Sequence, residues 1–268
     1  MLGSGRLSRW GLRSFALGYL ALLLLIPLGM IFFRAFEHIG PAFESLTSPD
    51  GLHAFYLTIL IALIAIPLNT IFGVGCALLL VRTEFRGKAL INAIIDLPFA
   101  ISPVVIGLSL LLVYSETGWF GDWLNANGFQ VIFALPGMVL ATIFVTLPFV
   151  VREVVPVLHE IGDEQEQAAH TLGANWWQTF WRITLPAIRW GVSYGVVIAT
   201  ARALGEFGAV AVVSGRISGQ TQTATIWISQ EFQRYDLPGA YLGAVVLALI
   251  AVSILIAMNL FKRKEATS

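Results

Sequence analysis

Long apolar runs separated by short polar clusters set the pattern of this chain. Six runs are long enough to cross a bilayer, which takes about 20 residues each. They fall near 14–36, 54–81, 90–114, 132–155, 188–214 and 238–261, and they predict an all-α integral membrane protein of about six transmembrane helices. The first run follows Arg6, Arg9 and Arg13 as a secretory leader would. It is longer than a leader's apolar segment and is not followed cleanly by a small-x-small cleavage site, so a retained anchor is expected.

Between the fourth and fifth runs the pattern changes, and residues 163–186 read DEQEQAAHTLGANWWQTFWRITLP. Asp163, Glu164 and Glu166 place negative charge in the first turn of a helix expected near 163–172, with Gly173 as its stop. Asn175 is placed to cap a second short helix, expected to end at Thr184, Leu185 and Pro186. On that helix Trp177, Phe180 and Trp181 share one face. Two short helices cannot bury Trp176, Trp177, Phe180 and Trp181 by themselves, so lipid headgroups or another protein must cover them. An interfacial aromatic belt and a docking surface both satisfy that requirement.

Hydrophobic residues make up 57% of the 268 residues and charged ones 12%, with mean hydropathy +0.80, which excludes an ordinary soluble domain. In a six-span arrangement Arg6, Arg9, Arg13, Arg82, Arg86, Lys88, Arg152, Arg182, Arg189, Lys262, Arg263 and Lys264 fall on one side, against Arg34, Arg216 and Arg234 on the other. The excess of positive charge predicts that both termini and the aromatic loop are cytoplasmic. The formal net charge is zero, and no basic run with interleaved aromatics points to nucleic acid. Cys76 is the single cysteine, so it has no intrachain disulfide partner and reads as a small apolar residue.

The chemistry of an autonomous engine is missing. No Gly-x-x-x-x-Gly-Lys-Ser/Thr loop is present to cradle phosphates. The histidines His38, His53, His159 and His170 lack metal-ligand spacing, and no serine sits in a Gly-x-Ser-x-Gly setting. No catalytic or metal residue is therefore expected, and no cofactor bound by this chain. The loops on the far side, about 37–53, 115–131 and 215–237, are too short to form a substrate-capturing domain.

The aromatic loop resembles a family signature. Permeases of ABC importers carry Glu-Ala-Ala, three residues, Gly, nine residues, then Ile-x-Leu-Pro. Here Ala168, Ala169, Gly173, Ile183, Leu185 and Pro186 occupy those positions, with Gln167 in the place of the glutamate and Glu166 one residue before it. The resemblance implies a type I importer permease fold in which residues 156–187 form a cytoplasmic coupling loop within a single transmembrane domain, 1–268. The loop, with Trp177 and Phe180 in its aromatic face, would seat in a groove of an ATPase subunit. ATP and magnesium would then be bound by that partner, not by this chain.

Polar groups inside the runs mark further candidates. Arg202 and Glu206 lie four apart in the fifth run, where an isolated charge costs at least about 2.5–3.5 kcal/mol, so they are expected to pair and to face protein or water. The pair reads either as part of a permeation path or as a buried structural ion pair. Gly191, Gly195, Ala199 and Ala203 form a small-residue stripe that suits a second permease subunit or another helix of this chain equally. In the third run Pro98 and Pro103 predict a kink that leaves carbonyls free. Pro27, Pro67, Pro136 and Pro148 also lie in runs, so bends are general. Asp96 is expected to be a solvated or capping carboxylate near the cytoplasmic end.

Residues 201–209, ARALGEFGA, are similar to a segment of sulfate, thiosulfate and molybdate permeases, and the likeness runs over nearly the full chain to the W-type permease subunits of sulfate/thiosulfate importers. That resemblance implies a heterodimer with a T-type permease, two ATPase subunits and a periplasmic sulfate-binding protein, in a bacterial inner membrane. Molybdate or tungstate is the alternative substrate. An anion transporter independent of any ATPase would explain the spans and the charged pair but not the loop, and a membrane enzyme lacks catalytic groups.

Overall fold

The computed structural model describes the backbone of residues 4–265 and the side chains of residues 12–257. The side chains of Arg6, Arg9, Lys262, Arg263 and Lys264, used above to orient the chain, lie outside the described residues. Among the described residues there are helices and no strands.

The chain opens with α1 (Ser4–Leu20), a five-residue π-helical stretch (Ala21–Leu25) and α2 (Ile26–Glu37), which together place the first span at Leu12–Glu37. After the short α3 (Ile39–Leu46) comes α4 (Pro49–Arg82), then α5 (Lys88–Ala100), α6 (Pro103–Tyr114), the short α7 (Gly121–Ala126) and α8 (Leu135–Ile161). The aromatic loop follows as α9 (Glu164–Thr171) and α10 (Trp176–Thr179). A second π-helical stretch (Phe180–Thr184) leads into α11 (Leu185–Leu204), and the chain closes with α12 (Gly208–Val213), α13 (Ala224–Gln233) and α14 (Leu237–Glu265).

Local sequence explains the ends of α4. The Ser48 hydroxyl accepts from Gly51 N at 3.1 Å, Pro49 opens the first turn with Asp50 beside it, and Arg82 stands in the last turn, which complements the helix dipole at both ends. α4, α8 and α11 form the centre of the bundle. They meet closely at the fully buried Val150 of α8. A Cβ on Gly73 of α4 would come within 2.8 Å of Val150 Cβ, and one on Gly195 of α11 within 2.9 Å of Val150 Cα. A Cβ on Gly191 would likewise sit 3.0 Å from Glu153 O. The stripe Gly191–Gly195–Ala199–Ala203 is thus buried within this chain, against α8 at its two glycines. Of its two readings, intrachain packing is the one observed. Asn69 of α4, buried in the same interface, donates to Ile143 O at 3.0 Å and Thr146 Oγ1 at 2.7 Å on α8, which satisfies its amide hydrogens away from water.

Three expectations are corrected. The third run is not a kinked helix but a broken one: α5 and α6 meet at 113° across Ile101 and Ser102. Ser102 precedes Pro103 and is held extended by the proline ring, so α5 cannot run on. The fifth span stops at Leu204 rather than near 214, because Gly205, Glu206 and Phe207 interrupt it before α12 begins. Pro186 does not end the second loop helix. Helical backbone is continuous from Trp176 to Leu204 over 29 residues, since Pro186 lies in the first turn of α11, where a missing amide is tolerated, and the preceding turn has widened to π geometry.

The two interruptions touch. A Cβ on Gly208 would lie 2.9 Å from Pro103 Cβ and 3.4 Å from Val104 N, so the start of α12 packs on the start of α6. Leu57, Ile61, Ile106, Met138, Val145 and Val210 fill the core on this side, while Val74, Leu80, Val150, Val154, Leu158 and Ile188 fill it toward the aromatic loop.

Candidate functional site

The loop is held by its own caps. Asn175 Oδ1 accepts from Gln178 N at 2.9 Å and Gln178 Oε1 from Asn175 N at 3.0 Å, a reciprocal box that fixes the start of α10. α9 ends in a Schellman arrangement: Gly173 N donates to His170 O and Ala174 N to Ala169 O, each at 3.0 Å. It requires the left-handed φ of +88° that Gly173 supplies.

The exposed face comprises Leu172, Trp176, Trp177 and Trp181, which keep 89%, 65%, 59% and 50% of their surface accessible. Trp176 stacks on Phe180 at 5.7 Å and Trp177 meets Trp181 edge-on at 5.4 Å. Phe180 does not share the outward face with Trp177 and Trp181. It is half-buried, packs with the core and lines a cleft of about 470 Å³ with Gly75, Leu78 and Leu79 of α4 and with Arg82 and Thr184. Helical spacing alone cannot distinguish the two orientations, because Phe180 stands at the edge of the aromatic face, where a side chain can turn to the partner or to the bundle. Gln167, Ala168 and Pro186 are exposed, Ala169 is buried, and Ile183 and Leu185 are half-buried.

Sequence reasoning missed Glu166 as a structural group. Its carboxylate receives Arg82 Nε at 2.9 Å and Nη2 at 3.3 Å, together with the Thr184 hydroxyl at 2.8 Å. Arg82 also donates to Leu158 O at 3.2 Å and Gly162 O at 2.6 Å. Residues 84 positions apart gave no local signal, and Arg82 read only as a basic flank.

Two further ion pairs, Arg202–Glu206 and Arg152–Asp96, bear on the sequence expectations. Arg202 Nη1 and Glu206 Oε2 are 2.6 Å apart, with the Glu206 side chain 1% and the Arg202 side chain 33% exposed. Glu206 Oε1 accepts from Ala209 N at 2.9 Å, and its carbonyl from Thr225 Oγ1 at 2.7 Å, so the glutamate ties the end of α11 to α12 and α13. Asp96 is neither a cap nor a free carboxylate: Arg152 of α8 grips it through Nε at 2.7 Å and Nη2 at 2.5 Å. Both members are part-exposed, at 34% and 48% of the side chain for Arg152 and Asp96. Exposure of a charged pair to hydrocarbon is costly, so this side of α5 and α8 faces water or protein in the membrane. Among the described residues no three His, Cys, Asp or Glu groups are placed to hold a metal ion.

The chain resembles known proteins in both sequence and fold. Residues 69–266 match the family described as binding-protein-dependent transport system inner membrane component. The chain is 51% identical to the sulfate transport system permease protein CysW of Synechocystis sp. over 94% of its length and 91% of that protein. It is 47% identical to the protein of the same name from Escherichia coli K12 over 91% and 84%. In fold it superposes on a chain of a bacterial alginate ABC transporter crystallised with an alginate pentasaccharide-bound periplasmic protein, with TM-score 0.78 and 20% identity over 98% of this chain and 97% of that one.

Proposed function

We propose, from a chain that belongs to the binding-protein-dependent transport system inner membrane component family, that this protein is one of two membrane-spanning subunits of an ATP-driven importer for sulfate and thiosulfate. Its own role is not enzymatic. The T-type permease, two ATPase subunits carrying ATP and magnesium, and a periplasmic sulfate-binding protein would complete the assembly. Both termini and the loop of residues 156–187 would face the cytoplasm of a bacterial cell. The observation that carries the substrate is the 51% identity over 94% of the chain to a sulfate permease.

The loop supports the coupling half of this reading. A capped helix pair with three exposed tryptophans projects from one end of the bundle and is joined to α11 without a break, so a partner gripping it would pull directly on a span. Closure of the ATPase pair on ATP would draw two such loops together, reopen the bundle to the outside and exchange the anion between faces. Sulfate would be met chiefly by neutral donors, because a site that holds a dianion too tightly cannot release it. Arg202 is the side chain nominated for the path, its charge balanced at rest by Glu206.

The test is uptake of labelled sulfate into proteoliposomes holding this chain with the second permease, the ATPase and the binding protein, with equimolar molybdate as competitor. Uptake that requires ATP and resists molybdate is expected. Strong competition would move the substrate to molybdate or tungstate. Uptake without ATP would remove the importer reading.

A further inference from the structure

We propose that Arg82 and Glu166 fasten α9 to the ends of α4 and α8, so that movement of the aromatic loop reaches those helices as well as α11, Glu166 acting as a positioning residue; this rests on the coupling-loop reading above. The geometry is specific. Arg82 is the last residue of α4, and its guanidinium donates at once to both oxygens of Glu166 on α9 and to Leu158 O and Gly162 O. The latter two are carbonyls at the C-terminal end of α8, where the helix has no internal donors left and where positive charge is favoured. Glu166 in turn accepts the Thr184 hydroxyl from the π-helical stretch that opens α11. One ion pair therefore joins the ends of α4, α8 and α11 to the first helix of the loop. These are the three helices that pack closely around Val150.

Without that pair α9 would be poorly controlled. It is an eight-residue helix, too short to be stable alone, and it lies between Gly162 at φ +66° and Gly173 at φ +88°, two points where the backbone turns easily. A pull on Trp176 or Trp177 would reach α11 through continuous helix. The same pull on α9 would be lost at the glycines unless something fastened α9 to the bundle. The pair is suited to that duty because its side chains are only 18% and 17% exposed, which shields it from solvent. The Lys88–Glu84 pair nearby, with Glu84 88% exposed, is of the kind that contributes little. The same geometry explains a departure from the family signature. Of the segment's three carboxylates Glu166 is turned inward on Arg82, Asp163 and Glu164 are exposed, and Gln167, in the position that holds glutamate in the signature, is exposed and carries a neutral amide.

The test measures sulfate imported per ATP hydrolysed in the full reconstituted complex, alongside co-purification of the ATPase. Glu166→Gln and Arg82→Gln should leave the exposed tryptophans and ATPase binding intact while lowering sulfate per ATP about tenfold, within the range by which altered links between two sites change coupling. The double variant should be no worse than either single one, because the two residues act as a unit. An unchanged ratio in either single variant, or losses that multiply in the double, would overturn the proposal. If the charge variants fail to accumulate, Thr184→Val removes only the hydroxyl donor. It should give a smaller fall in the same ratio, and no fall would be equally damaging. Failure of the importer reading looks different, since the unaltered chain would then transport without ATP.

Discussion

Replacing Arg202 by glutamine separates the two duties that its position allows. The Glu206 carboxylate is 1% exposed and would keep one backbone donor, Ala209 N. Leaving a buried charge without its counter-ion costs about 3–5 kcal/mol. Arg202 itself is one-third exposed, so water reaches one side of the pair and the lower end, about 3 kcal/mol, is expected. For a chain of this size that corresponds to a fall in melting temperature of about 6–12 °C, read by thermal unfolding of the purified chain in detergent. Arg202→Gln with Glu206→Gln removes both charges and should recover most of the loss, with a coupling term of at least about 1 kcal/mol in the double-mutant cycle. Costs that simply add, or a single-variant cost under about 0.5 kcal/mol, would refute the argument that the pair is tightly coupled. Uptake of the stabilised double variant then decides the pathway role. Normal sulfate uptake makes the pair purely structural; lost uptake in a stable protein makes Arg202 part of the path.

The remaining predictions concern packing and the loop. Gly195→Leu drives a side chain into a site where even a Cβ would lie 2.9 Å from Val150 Cα, and should lower stability by at least about 1–3 kcal/mol in the same melting assay. Trp177→Ala should weaken ATPase co-purification with little effect on melting. Phe180→Ala should do the reverse and cost about 2 kcal/mol, below the 3–5 kcal/mol typical of a fully buried phenylalanine. Gly173→Val places a branched side chain at φ +88°, a strain of about 1–2 kcal/mol, and should speed protease cleavage near Ala174 while membrane insertion stays normal.

The parts of the fold that depend on local chemistry could be read in advance. Span number followed from run length, the cap at Asn175 and the turn at Gly173 from residue types with fixed backbone roles, and the Arg202–Glu206 pair from one-turn spacing. Interactions between distant residues could not. Asp96 with Arg152 and Arg82 with Glu166 join residues 56 and 84 positions apart, and nothing near any of these residues in sequence names its partner. The outward or inward setting of Phe180 was also hidden, since spacing places it at the edge of the aromatic face and does not say which neighbour it meets. Hydropathy read 90–114 as one long span because it sums apolarity without seeing direction, although Ser102–Pro103 carried the signal for the break. The small-residue stripe was visible, but small residues show only that something comes close, not what.

The bend between α5 and α6 also bears on how the protein is made. The two helices are 13 and 12 residues long, each well short of the about 20 that lipid accepts as a single crossing, and α5 carries the Asp96 charge. A membrane-insertion machine that tests segments one at a time would find neither half acceptable. Arg152, which neutralises Asp96, emerges only with α8. The pair is therefore expected to enter the bilayer late, together with α8. In nascent chains truncated after α7 a glycosylation tag in the 115–131 loop should be modified inefficiently on microsomes, whereas chains extended through α8 should show the mature tag pattern. Identical tag patterns at both lengths would show that the bent pair inserts unaided.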